Sequence, residues 1–191
     1  VIEMATGLAR KLWTIEEYER MIELGILNKN HHVELIRGEI VEMAPSGLRH
    51  VACVSRLQET FYKLLGVSVT IFRQSPVRLP NDSEPEPDVS ILRRREDHYE
   101  MLRPTPPDIL LLIEVSDSTL MTARRDKIPL YAEAGISAVW LVNLDEGAIE
   151  VYSKPTRGIY SEVRRALRGE DLLLPVGLQG SINVDKVLGK S

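Results

Sequence analysis

The segment from Asp108 to Val115, Asp-Ile-Leu-Leu-Leu-Ile-Glu-Val, constrains the fold more than any other part of the chain. Nearly continuous apolar sequence of this length is the pattern of a strand buried on both faces of its sheet, because something must cover each side. A helix expected from about Thr119 to Ala134, closed at Gly135, follows it, and Ala138 to Val142 repeats the buried-strand pattern. Strand, helix and strand in that order form a crossover unit, so at least part of the sheet is parallel and the fold class is α/β. The 191 residues suffice for one domain with a full-sized core, taken here as 1–191.

The flanking sequence supplies the other elements. Thr14-Ile15-Glu16-Glu17 reads as a capping box opening a helix that ends by Gly25. Val33 to Ile36 and Ile40 to Met43 flank Arg37-Gly38-Glu39 as a hairpin, and Leu48 to Leu65 carries apolar residues at helical spacing. Strands are expected at Val67 to Phe72, Val77 to Leu79 and Asp88 to Leu92, with a surface loop from Pro80 to Pro87 and an exposed excursion from Arg93 to Pro107. After the turn at Asp145-Glu146-Gly147, Ile149 to Tyr152 and short strands from Gly158 to Ile182 make a β-rich end.

Charge excludes some functions. Lys and Arg number 24 against 28 Asp and Glu, a net charge of -4, so bulk positive charge cannot hold a polyanion. Ten aromatic side chains, scattered along the chain, do not form a base-stacking platform. The one cysteine, Cys53, rules out an internal disulfide framework or a multi-cysteine zinc site and fits a reducing cytoplasm. It is either a small core residue on its helix or a thiol served by His50 one turn away. No apolar run approaches the ~20 residues of a membrane span, so no membrane partner is expected.

Chemistry is concentrated in three residues. Glu114 closes a strand whose preceding side chains all leave water, and alternation places it with Leu110, Leu112 and Ser116 on one face. A carboxylate there needs a cation, donors or protonation to offset burial; it either takes part in a site or caps the next helix or pairs with an arginine. Asp88 opens another strand after a proline-stiffened loop, either as a turn residue or as a second acid close to the first, since neighbouring strands lie ~4.8 Å apart. Two such acids suit magnesium, which takes one or two carboxylates plus water and substrate phosphate. Lys127 shares a helix face with Ala123, Leu130, Tyr131 and Ala134, and either snorkels to water or serves the site, while Arg124, Arg125 and Asp126 read as the solvated face. Two acids, a lysine and a metal make a sensible set for phosphodiester hydrolysis.

Pro87-Asp88, Ile113-Glu114-Val115-Ser116 and Lys127 resemble the PD-(D/E)XK nuclease signature in the variant whose lysine has moved from the strand to the next helix. More closely, Thr14-Ile15-Glu16-Glu17-Tyr18, Val33-Glu34-Leu35-Ile36-Arg37-Gly38-Glu39-Ile40, Pro87-Asp88-Val89-Ser90, Leu112 to Thr119, Lys127 to Ile136 and Val139-Trp140-Leu141-Val142 resemble the Uma-two family of restriction-endonuclease-like proteins, over about residues 12–185. The resemblance implies a restriction-endonuclease-like α/β/α core with a mixed central sheet, an N-terminal helix and hairpin, and a β-rich C-terminal end. It implies a metal-dependent endonuclease acting on nucleic acid, DNA above RNA, as a homodimer; the alternative is a catalytically silent nuclease-fold binding or defence module. It also implies that Asp88, Glu114 and the Val115 carbonyl bind Mg2+, or Mn2+ in its place, that Lys127 is the catalytic lysine, and that Glu34 is the acid placed near the metal from an earlier element. Glu34 reads otherwise as an edge-strand carboxylate facing solvent. His50 is a substrate-contact candidate or a helix-start residue. Arg93, Arg94 and Arg95, with Arg73, Arg78 and Arg103 nearby in sequence, are candidates for a phosphate-attracting rim, or else pair with acids. Ala123 stands one turn before the lysine where such proteins often carry an acid.

Overall fold

The computed structural model describes residues 10–28, 31–117 and 123–189. Its centre is a mixed six-stranded sheet of β3 (Val69–Arg73), β4 (Val89–Arg93), β5 (Ile109–Ser116), β6 (Ala138–Asn143), β7 (Ala148–Thr156) and β8 (Ile159–Leu167), lying side by side in that order. Only β5 and β6 run parallel, as the crossover sequence requires; every other neighbour is antiparallel. The hairpin of β1 (Val33–Ile36) and β2 (Glu39–Glu42), and the pair of β9 (Asp171–Leu173) and β10 (Ser181–Asn183), stand apart as two-stranded sheets.

Helices cover both faces of the main sheet. On one, Cys53, Val54, Leu57 and Phe61 of α2 (Leu48–Leu65) pack with Val184, Val187 and Leu188 of a short C-terminal helix (Val184–Leu188) against Ile113, Val115, Trp140 and Val142. On the other, a π-helical turn (Ala123–Lys127) runs into α3 (Ile128–Glu133), and Ala123, Ile128, Leu130 and Tyr131 cover Leu112, Val139 and Leu141. The start of the expected crossover helix, 119–122, lies outside the described residues, and the part that is described is not one continuous α-helix. The wide turn frees backbone groups within a helix, a distortion often found at functional sites.

α1 (Ile15–Glu23) carries the expected capping box between Thr14 and Glu17 and packs Ile15 and Tyr18 on Leu35 of the hairpin. The hairpin turn places Arg37 and Gly38 at φ +52 and +75, the mirror-image turn that suits strand twist. A Cβ on Gly38 would stand 2.9 Å from the Leu12 Cβ, so the close approach of the N-terminal segment needs glycine there.

Three local expectations require correction. Alternation along β5 breaks at Leu110: Ile91 pairs with Leu111 but Leu92 with Ile109, a bulge that turns Leu110 to the α2 face while Leu112 faces α3. Val77 to Leu79 is not a strand of the sheet; it folds back on the next segment through Leu79 N–H to the Ser83 carbonyl. The Pro80 to Pro87 segment is not a surface loop throughout, since Ser83 and Glu84 are buried and Glu84 N–H donates to the Leu35 carbonyl at 2.7 Å. The backbone bonds made to β1 allow that burial.

Candidate active site

The antiparallel register of β4 and β5 builds the centre. Val89 lies opposite Ile113, and one further step brings Asp88 level with Glu114. Both acids line a cleft of about 1210 Å³ with Glu34, His50, Val115 and Lys127. Asp88 is anchored by backbone and side chain: its Oδ2 accepts the Val115 N–H at 2.8 Å, and His50 Nε2 lies 3.0 Å from its carboxylate. This bond raises the His50 pKa and so favours the imidazolium, against the opposing effect of burial. The other ring nitrogen, Nδ1, is buried and finds no partner among the described residues.

Glu114 is 5% exposed, and burial pushes its carboxyl up to about 7, with Lys127 pulling it down and Asp88 pushing it further up. Tyr131, fully buried on α3, donates its hydroxyl to Glu114 Oε1 at 2.5 Å. Lys127 Nζ lies 3.4 Å from Glu114 Oε2 and 2.9 Å from Glu34 Oε1. Burial would lower the Lys127 pKa, but Glu114 and Glu34 outweigh it and keep the amine charged. Glu34 is not an edge carboxylate facing solvent: it is 2% exposed and also accepts the Glu86 N–H at 2.8 Å, which ties the hairpin to the loop leading into Asp88.

The fold thus brings together Asp88, Glu114, Lys127, Glu34, His50 and the Val115 backbone, and separates them from Arg93, Arg94 and Arg95. Those arginines lie at and just past the other end of β4, roughly five strand residues or ~17 Å and more from Asp88. Arg93 donates to the Pro107 carbonyl, Arg94 to the Arg95 carbonyl, and Arg95 to Asp97 while stacking on Tyr99. Arg124 is not on a purely solvated face either, because it reaches the buried Glu150. Cys53 is a core residue, fully buried, with its thiol pushed up to about 12 by burial. Tyr131 is the site residue that sequence reasoning left in the core; its place four residues after Lys127, one helical turn on, was the available signal.

Among the described residues no three His, Cys, Asp or Glu side chains gather as a metal-ligand set. A hard cation such as magnesium takes one or two carboxylates and completes its shell with backbone oxygen and water. Asp88 and Glu114, with the Val115 carbonyl, meet that requirement, and the acid-rich cleft, with Glu39, Glu42, Glu86 and Asp126 also along its wall, favours a cation over an anion.

The family model described as "Putative restriction endonuclease", Uma2, matches residues 15–185. The chain belongs to the Uma2 family. Among solved structures, a protein from Anabaena variabilis described as "a putative nuclease belonging to DUF820" superposes with a TM-score of 0.67 at 19% identity, covering 92% of this chain and 97% of that one. At that identity the likeness shows the fold, a mixed α/β nuclease-like core, and the Uma2 chain shares it. No curated protein matches the sequence. Among the described residues no helix is long and apolar enough to cross a membrane.

Proposed function

We propose that this Uma2 protein is a divalent-metal-dependent endonuclease that hydrolyses phosphodiester bonds, with DNA as substrate. The observation that carries this reading is the convergence of Lys127, delivered from the helix after β5, on Glu114 in the cleft that Asp88 also lines. Asp88, Glu114 and the Val115 carbonyl hold the Mg2+ or Mn2+ ion. When bound, the ion neutralises charge on a phosphoryl oxygen and lowers the pKa of a coordinated water. Lys127, kept charged by Glu114 and Glu34, offers its ammonium to the attacking water or to the charge developing on phosphorus. Tyr131 and His50 keep the two carboxylates in place, and neither needs to touch substrate for that. We place the protein in a reducing compartment and take it to act as a homodimer.

The carboxylates along the cleft repel phosphate until a cation enters, so DNA binding should depend on divalent metal. The decisive experiment incubates purified protein with supercoiled plasmid and Mg2+ or Mn2+. Cutting should appear with either ion and vanish in Glu114→Ala and Lys127→Ala variants that keep the wild-type circular dichroism spectrum. Cutting that survives both substitutions belongs to a contaminant and defeats the proposal. A second reading, a silent nucleic-acid-binding or defence module, draws on Ala123, which lines the cleft where an acid is often found in such proteins. Saturable Mg2+ binding that needs Asp88, without cleavage of DNA or RNA, would favour it.

A further inference from the structure

β8 is an outer strand of the main sheet, and residues 161–165 along it are exposed. Ile159, Val163 and Leu167 keep 66%, 60% and 47% of their surface in water, an uncommon concentration of aliphatic side chains on a bare edge. The edge offers main-chain groups as well. Leu167 turns its peptide groups away from β7, since its N–H donates to Glu170 Oε2 at 3.2 Å and its carbonyl accepts the Glu170 N–H at 3.1 Å. Antiparallel alternation gives Val163 and Arg165 the same outward orientation.

We infer that β8 is the contact by which two copies of this chain join, pairing antiparallel to itself about a two-fold axis at Val163. A two-fold axis perpendicular to a continuous sheet keeps each side chain on its own face, so only even sums of paired residue numbers are allowed. Centring on Val163 sets Glu162 opposite Arg164 of the second copy, twice, and Ser161 opposite Arg165. Centring one residue earlier sets Glu162 against Glu162; one residue later sets Arg164 against Arg164. Like charges directly opposite one another destabilise a strand pair, so the sequence Ser161-Glu162-Val163-Arg164-Arg165 favours one register of the three. In that register the outward groups of Val163 exchange main-chain hydrogen bonds with those of the second copy, and those of Arg165 come to lie opposite Ser161.

Within one chain the same charges are weakly engaged. Glu162 pairs with Lys154 at 2.5 Å and Arg164 with Glu170 at 3.4 Å, all more than two-fifths exposed, so exchanging them for partners in the second copy costs little. The complementarity is of the strand to itself, and that selects a second copy over an unrelated partner. The pairing supplies a surface for the homodimer proposed above and requires nothing of the cleft.

Sedimentation velocity across a micromolar concentration series tests it. The wild type should be dimeric. Glu162→Arg and Arg164→Glu should each weaken the dimer roughly tenfold or more, because each converts two attractive pairs into repulsive ones. The double variant E162R/R164E should restore wild-type association. Val163→Pro, which removes an outward N–H at the centre, should give a monomer, with circular dichroism confirming the fold. A wild type that stays monomeric, a dimer indifferent to the single reversals, or a double variant no tighter than the singles overturns the inference. A monomer that still cuts DNA would sink the pairing and spare the nuclease reading; a register-sensitive dimer that cuts nothing would do the reverse.

Discussion

Glu84 offers a stability test of how the loop before Asp88 is held. The residue is 2% exposed; Arg103 Nε lies 3.0 Å from its Oε1, and its Oε2 finds no hydrogen-bond partner among the described residues. Burial pushes its carboxyl from 4.5 up to about 7, with Arg103 pulling the other way. Because the folded-state value lies above the unfolded one, the native state binds the proton more tightly, and stability falls as pH rises between about 4.5 and 7. The difference between the two values corresponds to about 3 kcal/mol over the full titration. Glu84→Gln removes the titration while keeping the shape. The amide carries its own fixed cost for a buried, unpaired donor, so the informative quantity is the change with pH of the stability gap between variant and wild type. Urea unfolding at pH 5 and pH 8 should show that gap moving by about 2.5 kcal/mol in favour of Gln at the higher pH. Parallel stability curves for the two proteins would refute the account of a carboxylate destabilised by burial, and with it the claim that this loop is part of the interior.

Three further outcomes follow from the site and the hairpin. Lys127→Met leaves Glu34 and Glu114 buried without their shared cation and should cost about 3 kcal/mol in urea unfolding at pH 8, and a variant as stable as wild type would show the ammonium does not hold them. Tyr131→Phe removes the hydroxyl that fixes Glu114 Oε1 and should weaken Mg2+ binding about ten- to a hundredfold by titration calorimetry; unchanged affinity would leave Tyr131 a packing residue only. Gly38→Ala forces a Cβ toward Leu12 and Trp13 at φ +75 and should cost about 1–3 kcal/mol, which thermal unfolding would read as a drop in midpoint of several degrees.

The central crossover was legible because its signals are physical and local. An uninterrupted aliphatic run demands cover on both faces, and a carboxylate at its end demands an explanation, which is why Glu114 stands out in the sequence and again in the structure. The fold-level expectation, a mixed sheet between helices, matches the observed strand order and the structural neighbour. The bulge at Leu110 could not be read, since a strand apolar at every position contains no alternation for a bulge to break. The Pro80 to Pro87 segment misled for a different reason. Its composition is that of exposed turns, yet what decides burial is whether backbone groups find partners, and β1 supplies them, the Leu35 carbonyl to Glu84 and the Glu34 carboxylate to Glu86.

Nearness in sequence was the poorest guide to the site. Arg93, Arg94 and Arg95 follow Asp88 by only five to seven residues, but an extended strand carries the chain away at ~3.3 Å per residue, and the arginines end up serving the far side of the sheet. Lys127 is thirteen residues beyond Glu114 and ninety-three beyond Glu34, yet it meets both, because a parallel crossover returns the helix over the strand it left and the hairpin docks on the loop into Asp88. A helix at 1.5 Å per residue keeps its side chains close to the strand end, whereas a strand disperses them. The same geometry explains why Tyr131 was passed over. On a helix face, an aromatic residue one turn from the lysine looks the same in sequence whether its ring only fills the core or its hydroxyl also reaches a carboxylate, and only the position of Glu114 beneath α3 distinguishes the two. For this fold, residues on the crossover helix in phase with the lysine are therefore better candidates for the site than charged residues adjacent to its acids in the chain.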